Sequence, residues 1–311
     1  MATALYSHDD CLAHVTPPGH PEQVARLEHI ATALAGPAFD ALDRRQAPLA
    51  GDDPILLCHP RDYLDRIIAA EPATGTVALD ADTHMSPGSV QAARRAVGGV
   101  IAAVDAVMTG EVSNAFVACR PPGHHAERAT QMGFCLFGNI AIAAKHAMQA
   151  HGLTRVAIVD FDVHHGNGTQ DLLWDEPRAL FISSHQSPLW PGTGAESDRG
   201  AHDNIVNIPL PPDSGSATMR QAYEGRVFPM LDAFEPQLIL ISAGFDAHQD
   251  DPLAQLRWRT EDFTWLTQRL CDLATTHCGG RVVSTLEGGY DLTALAASAA
   301  AHVTVLMEKG A

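Results

Sequence analysis

The feature that most constrains the fold is a series of short apolar runs rich in β-branched residues. The predicted strands are Asn114–Cys119, Val156–Phe161, Leu180–Ser184, Ile205–Leu210, Leu238–Ser242 and Val282–Leu286. Several are apolar throughout, which is typical of strands with both faces covered. Helices are predicted between them at Val90–Met108, Asn139–Gln149, Met219–Phe234 and Thr260–Thr275. The alternation predicts one α/β domain over residues 1–311, a mainly parallel sheet with helices on both faces.

Unusual polar segments follow five of these strands. They read Arg-Pro-Pro-Gly-His-His, Asp-Phe-Asp-Val-His-His, Ser-Ser-His, Gly-Phe-Asp-Ala-His and Glu-Gly-Gly-Tyr-Asp. Ligands of open parallel sheets bind at the carboxyl ends of the strands. We therefore expect the five segments to converge on one pocket.

The second segment contains a candidate metal site. Asp160, Asp162 and His164 are two residues apart, so on an extended strand their side chains would share one face. Carboxylates beside a buried strand need a counter-charge, and a divalent metal supplies one. Catalytic zinc usually has three protein ligands, and Asp162, His164 and Asp246 are the best set. A buried hydrogen-bond network without metal is the alternative.

Two carboxylates and one imidazole would nearly neutralise zinc, so its water would need a separate general base. His124 and His125 lie in a turn stiffened by prolines, and adjacent side chains there should have different partners. Tyr290 follows two glycines and could donate a hydrogen bond to a carbonyl oxygen that gains charge. A surface histidine pair and an ordinary packed tyrosine are the alternatives.

Composition restricts the partners. The chain has 37 acidic and 20 basic residues and a formal net charge of −17, which argues against binding to nucleic acid or to anionic membranes. The six cysteines are scattered, which predicts reduced thiols. No secretory signal and no apolar run long enough to span a membrane are apparent. Together these features predict a cytoplasmic protein. A homo-oligomer is left open. Isolated histidines, among them His146, His202 and His277, receive no role.

The motifs in combination resemble the zinc-dependent histone deacetylase and acetylpolyamine amidohydrolase family. They are Pro-Pro-Gly-His-His-Ala, Gly-Phe-Cys, Asp-Phe-Asp-Val-His-His-Gly-Asn-Gly-Thr, Trp-Pro-Gly-Thr-Gly, Ala-Gly-Phe-Asp-Ala and Glu-Gly-Gly-Tyr. The similarity runs from about His8 to the C-terminal helix and is greatest to the class II branch, which includes bacterial members. It implies an arginase–deacetylase fold with about eight strands.

The resemblance also implies roles for individual residues. His125 would be the general base and acid, His124 its electrostatic partner paired with Asp160, and Tyr290 the group that polarises the scissile carbonyl. One Zn²⁺ per chain would bind Asp162, His164 and Asp246, and a structural K⁺ would lie near Asp160, Asp162, His164, Ser183 and Ser184. The acylated amine would contact Gly133, Phe134, Trp190 and Arg26.

Two departures bear on chemistry and specificity. Asn167 stands behind His125, where class I members carry aspartate and class II members share the asparagine. A neutral amide stabilises an imidazolium less than a carboxylate does, so the His125 pKa should be lower than with aspartate. Leu253 stands where polyamine-selective relatives hold glutamate, which favours acyl-lysine, although Asp80 or Asp82 could supply a carboxylate at the rim. An acetylpolyamine amidohydrolase and a non-catalytic acyl-lysine binding module are the alternatives.

Overall fold

Eight parallel strands form the central sheet of the computed structural model, which describes residues 2–310. Their spatial order is β2-β1-β5-β10-β9-β6-β7-β8, and β3 and β4 form a separate antiparallel pair. The strands are β1 (Thr3–Ser7), β2 (Asp43–Gln46), β3 (Val77–Ala78), β4 (His84–Met85), β5 (Asn114–Val117), β6 (Val156–Asp160), β7 (Ala179–Gln186), β8 (Ile205–Leu210), β9 (Leu238–Ala243) and β10 (Val282–Leu286).

Helices cover both faces of this sheet. They are α1 (Ala25–Ala33), α2 (Asp52–Ile55), α3 (Arg61–Ala70), α4 (Ser89–Thr109), α5 (Asn139–Ala150), α6 (Asn167–Leu173), α7 (Ser216–Ala222), α8 (Phe228–Phe234), α9 (Thr260–Cys278) and α10 (Leu292–Gly310). Helices α4 and α5 pack on each other and on central strands, as do α9 and α10. Strands β5, β6, β7, β9 and β10 are buried along their whole length, as their apolar sequences predict.

The predicted α/β class and parallel sheet are confirmed, and the differences have local causes. The predicted helix Met219–Phe234 is interrupted by a π-helical turn at Tyr223–Val227. This turn places the Tyr223 hydroxyl 2.6 Å from the Ser184 hydroxyl. Strand β2, Asp-Arg-Arg-Gln, was not predicted because it is an edge strand with alternating partial exposure and no apolar run. Within residues 2–310, no helix is both long and apolar enough to span a membrane.

The order of the strands positions the candidate site. Four central neighbours, β5, β10, β9 and β6, end at the same edge. The segments that follow them carry the predicted histidines, carboxylates and tyrosine. Parallel pairing therefore brings together residues that lie more than a hundred positions apart in the chain.

His302 connects the layer of α9 and α10 to the sheet. One ring nitrogen lies 2.7 Å from the Thr267 hydroxyl of α9, and the other lies 2.9 Å from the Ser284 hydroxyl of β10. The side chain is fully buried, and burial lowers its pKa from the usual 6.5 to about 3. Between about pH 3 and pH 6.5, the folded protein therefore keeps His302 neutral, whereas an unfolded chain would protonate it.

This difference predicts a pH-dependent loss of stability. Below pH 6.5 the unfolded state binds a proton at His302 that the folded state does not bind until about pH 3. Acidification from pH 7 to pH 5 should therefore lower the free energy of unfolding by about 2 kcal/mol through this group alone. Over the same interval, the free energy of unfolding of His302→Gln should fall by about 2 kcal/mol less than that of the wild type. Chemical denaturation measures this difference. His202→Gln, at an exposed position, is the control, and equal pH dependence in all three proteins would contradict the prediction.

Candidate active site

Asp162, His164 and Asp246 come together just beyond the ends of β6 and β9. The Nδ1 atom of His164 lies 3.2 Å from a carboxylate oxygen of Asp162 and 3.2 Å from one of Asp246. All three side chains are at least nine-tenths buried. The two carboxylates raise the His164 pKa to about 10 although burial opposes this, so the space between them attracts a cation.

Asp160 does not share this cluster, contrary to the prediction from an extended strand. Strand β6 ends at Asp160, and the backbone turns over residues 161–166. Asp162 and His164 therefore reach Asp246 from a loop. The carboxylate of Asp160 instead accepts a hydrogen bond from the backbone N–H of Asp162 at 3.1 Å and contacts the His124 ring.

The donor set and its surroundings fit a divalent metal ion. Two carboxylates and one imidazole are ligands that zinc accepts. The carboxylates are also held by backbone donors: Gly288 N–H donates to Asp162 at 2.8 Å, and Val163 N–H donates to Asp246 at 2.9 Å. A Cβ atom on Gly288 would lie 2.2 Å from an Asp246 oxygen and 2.5 Å from an Asp162 oxygen. Only glycine lets the backbone approach this closely.

His124 is held as a cation. Its Nδ1 atom lies 3.0 Å from Asp160, and its Nε2 atom lies 3.7 Å from Asp162. Burial alone would lower the His124 pKa, but the charges of Asp162 and Asp160 outweigh burial and raise it well above 6.5. Beneath it, the buried Glu287 carboxylate accepts the N–H of Gly123 at 2.7 Å and that of His124 at 3.1 Å.

His125 is held neutral although it is adjacent in sequence. Its pKa is well below 6.5 because the ring is buried and faces the charges of His124 and His164. Its Nδ1 atom lies 2.8 Å from Asn167 Oδ1, and Asn167 Nδ2 donates to Glu127 at 2.8 Å. This contact orients the Asn167 amide so that its oxygen accepts from Nδ1–H of His125. The Nε2 atom of His125 is left with a free electron pair.

A cavity of about 220 Å³ opens onto these residues. The lining residues are Asp82, His125, Gly133, Phe134, His164, Leu189, Trp190 and Leu253. The Trp190 ring lies edge-on to His125 at a centroid distance of 4.7 Å. Phe134 has φ 70°, a left-handed conformation that is unfavourable for a bulky residue and often marks functional sites. Five predicted substrate contacts, Gly133, Phe134, Trp190, Leu253 and Asp82, therefore surround one opening.

Tyr290 and Arg26 lie beside this cavity and outside its lining. The Tyr290 ring packs edge-on against Phe134 at 5.9 Å, and burial raises the pKa of its hydroxyl well above 10, so it stays protonated. Arg26 does not occupy the substrate-contacting position predicted for it. Its guanidinium donates to the carbonyl oxygens of Gly289 at 2.7 Å and Glu287 at 2.5 Å. Arg26 thus supports the loop that carries Tyr290.

The serines predicted to bind potassium have protein partners. The Ser183 hydroxyl lies 3.0 Å from Nδ1 of His185, and the Ser184 hydroxyl lies 2.6 Å from the Tyr223 hydroxyl. Consecutive side chains of a strand point to opposite faces, so these two hydroxyls diverge. The potassium site stays a prediction.

A family model for the histone deacetylase domain matches residues 20–306. The chain belongs to the histone deacetylase family. A histone deacetylase-like amidohydrolase of Pseudomonas aeruginosa is 42% identical over 311 residues, which cover 93% of this chain and 81% of that protein. The human polyamine deacetylase HDAC10 is 38% identical over 99% of this chain and 48% of its own length. The crystal structure of the HDA15 HD domain superposes with a TM-score of 0.93 at 34% identity, covering 99% of this chain and 89% of that one.

This histone deacetylase-family chain is therefore a deacetylase-type hydrolase with the arginase–deacetylase fold. Three residues near its site had no predicted role. Leu189 lines the cavity, Glu287 supports the histidine turn, and Asp251 accepts the backbone N–H of Tyr290 at 2.7 Å and that of Leu253 at 3.0 Å. Glu287 stands inside the Glu-Gly-Gly-Tyr motif, which was a usable signal. Leu189 and Asp251 reach the site only through tertiary packing.

Gly288→Ala tests the close approach of backbone and carboxylates in this histone deacetylase-family site. The added methyl group would displace the oxygens of Asp162 and Asp246 without removing any candidate ligand. Metal affinity should fall at least about tenfold, as when groups that orient metal ligands are disturbed, and activity should fall with it. Elemental analysis and turnover measure both quantities. Gly225→Ala is the control because a Cβ atom there meets nothing within 4 Å; full metal content and activity in Gly288→Ala would refute the argument.

Proposed function

We propose that this chain is a zinc-dependent deacylase that hydrolyses the amide bond of an acylated lysine side chain. The observation that carries the proposal is the position of a neutral histidine, His125, beside the cluster of Asp162, His164 and Asp246, with His125 and His164 both lining one cavity. These three side chains would hold Zn²⁺. When bound, zinc would supply the Lewis-acid chemistry that polarises the scissile carbonyl and acidifies the attacking water.

His125 would act first as the general base and then as the general acid. Because Asn167 holds the hydrogen on Nδ1, the free electron pair of Nε2 can take a proton from water at the cavity base. The lowered pKa keeps the ring neutral before reaction, as a base requires. The same atom would then return the proton to the nitrogen of the departing amine.

His124 and Tyr290 would act on charge and not on proton removal. The imidazolium of His124, paired with Asp160, would keep a fixed positive charge beside the reacting groups. The protonated hydroxyl of Tyr290 would donate a hydrogen bond to the carbonyl oxygen as negative charge develops there. Asp251 and Arg26 would hold the Tyr290 backbone in position. A structural K⁺ near Asp160, Ser183 and Ser184 remains part of the proposal.

An acyl-lysine is favoured because Leu253 presents an apolar side chain at the cavity. Leucine offers no partner to a secondary ammonium in the stem of a polyamine. An acetylpolyamine is the second candidate, since a relative that is 38% identical is named a polyamine deacetylase. Asp82 lines the same cavity and could attract an ammonium group. Burial and the neighbouring Asp80 raise the pKa of the Asp82 carboxyl.

Tyr290→Phe tests the catalytic assignment. The hydroxyl should matter mainly in the transition state, so kcat should fall about 10²–10³-fold, as for removal of an oxyanion-hole donor. KM should change little. Steady-state kinetics on a panel of acyl-lysine peptides measures both constants.

Two controls make this test specific. Tyr6→Phe removes a buried hydroxyl that bonds the Ala102 carbonyl away from the cavity, and its kcat should stay near that of the wild type. Zinc content should be unchanged in Tyr290→Phe but lost in Asp246→Ala, which removes a ligand. Near-normal turnover in Tyr290→Phe, or full zinc in Asp246→Ala, would contradict the proposed roles. Absence of hydrolysis of any acyl-lysine or acylpolyamine by the zinc-loaded wild type would favour a binding module.

Leu253→Glu tests substrate choice. A carboxylate at this position should pair with a secondary ammonium some distance from the scissile amide. One such pair at a partly wet rim is worth about 1–3 kcal/mol, or roughly 5- to 150-fold. The ratio of kcat/KM for N-acetylspermidine to that for an acetyl-lysine peptide should rise by this factor.

Leu189→Glu is the matched control because Leu189 lines the same cavity. If only the general negative charge matters, the two variants should behave alike, and the effect should fade between low and high salt. A close pair at position 253 should persist at high salt. A wild type that prefers acetylpolyamines to every acyl-lysine peptide at high salt would overturn the lysine assignment.

A further inference from the structure

A second cluster of metal-ligating side chains lies between α4 and α5, away from the catalytic cavity. Asp105 belongs to α4, His146 to α5, and His151 directly follows α5. The Nε2 atoms of both histidines lie 2.7 Å from the same oxygen of Asp105. The three candidate ligand atoms all lie within 4.8 Å of one another.

The path of the chain separates this cluster from the active site. Helix α5 begins near the carboxyl edge of the sheet and ends before β6, whereas α4 ends before β5. Asp105 and His151 therefore lie toward the amino-terminal edge of the strands. The catalytic residues follow the carboxyl ends of β5, β6, β9 and β10 at the other edge.

The shape of the end of α5 creates the cluster. Side chains five positions apart diverge by about 140° around a regular helix, so His146 and His151 would not share a face. His151 leaves helical geometry, with φ −109° and ψ 2°, and its ring lies 5.9 Å from that of His146. Asp105 approaches from the packed neighbour α4.

The chemistry of the three groups suits a borderline transition-metal cation. Burial would raise the Asp105 pKa, but hydrogen bonds from His146 and His151 outweigh this and lower it, so the carboxylate is ionised. The side chains are 19% exposed for each histidine and 47% for Asp105, which leaves a path for an ion and room for water ligands. Two imidazoles and one carboxylate are common ligands of Zn²⁺ and its neighbours, and Mg²⁺ or Ca²⁺ would prefer oxygen.

We propose that Asp105, His146 and His151 form a second site for a divalent transition-metal cation such as Zn²⁺, independent of the catalytic metal. The ion would link α4 to the end of α5 and stabilise their contact. The competing explanation is a pair of histidine–aspartate hydrogen bonds without metal. In that arrangement one oxygen of Asp105 accepts an N–H group from each histidine. In a metal site, each of the three side chains would instead donate one lone pair to the ion.

The test uses the full chain with its catalytic zinc in place and Zn²⁺ as the probe. Calorimetric titration and total zinc at saturation should show one more bound equivalent in the wild type than in His146→Gln/His151→Gln. Either single variant, or Asp105→Asn, should weaken the added site by more than about tenfold, a loss seen even when only outer partners of metal ligands are removed. Added Zn²⁺ should raise the melting temperature of the wild type and not that of the double variant.

The control is His277→Gln, which breaks a lone histidine–aspartate pair: His277 lies 2.8 Å from Asp232. This variant should bind the extra zinc as the wild type does, and deacylase activity should be unchanged in all variants. Equal zinc binding by the wild type and the double variant would overturn the proposal, because the cluster would then be hydrogen-bonded pairs only. Loss of the extra zinc in His277→Gln would also overturn it, because uptake would then be a general property of surface histidines.

Discussion

The interaction on which the site depends is the compensation of four carboxylates buried at the carboxyl edge of the sheet. Asp160, Asp162, Asp246 and Glu287 are each at most 1% exposed. Uncompensated charges in such a place would be very costly. Backbone N–H groups and two histidines supply part of the compensation, and the proposed metal would supply the rest. The glycine at position 288 follows from this constraint, because it lets a backbone donor reach the carboxylates.

The same constraint separates the properties of two adjacent histidines. His124 faces the carboxylates and is held as a cation, whereas His125 faces Asn167 and the cationic neighbour and is held neutral. The proline-containing turn directs the two rings to different partners. A neutral imidazole and a cationic one can thus lie side by side, as the proposed roles of His125 and His124 require.

Under the proposed function, substrate choice would depend on a different part of the molecule. The residues that hold the cluster are buried, whereas the cavity is bordered by loops that contribute Asp82, Leu189 and Leu253. Changes at such loop positions alter the rim while leaving the ligands in place. Relatives named for different activities, an amidohydrolase and a polyamine deacetylase, can therefore share one framework with this chain.

The sequence by itself determined the parallel α/β class and the segments that meet at the site, because apolar runs and polar strand ends are local patterns. It did not determine side-chain geometry: Asp160 separates from Asp162 and His164 because the strand ends at Asp160. Arg26 lies behind Tyr290, and Asp251 ties that loop to Leu253, only once distant elements pack. The cluster of Asp105, His146 and His151 likewise arises from the contact of two helices. Asp105 is 41 positions from His146 and 46 positions from His151 in the chain. Spacing along one element predicts which residues share a face, but contacts between elements are decided by packing in three dimensions.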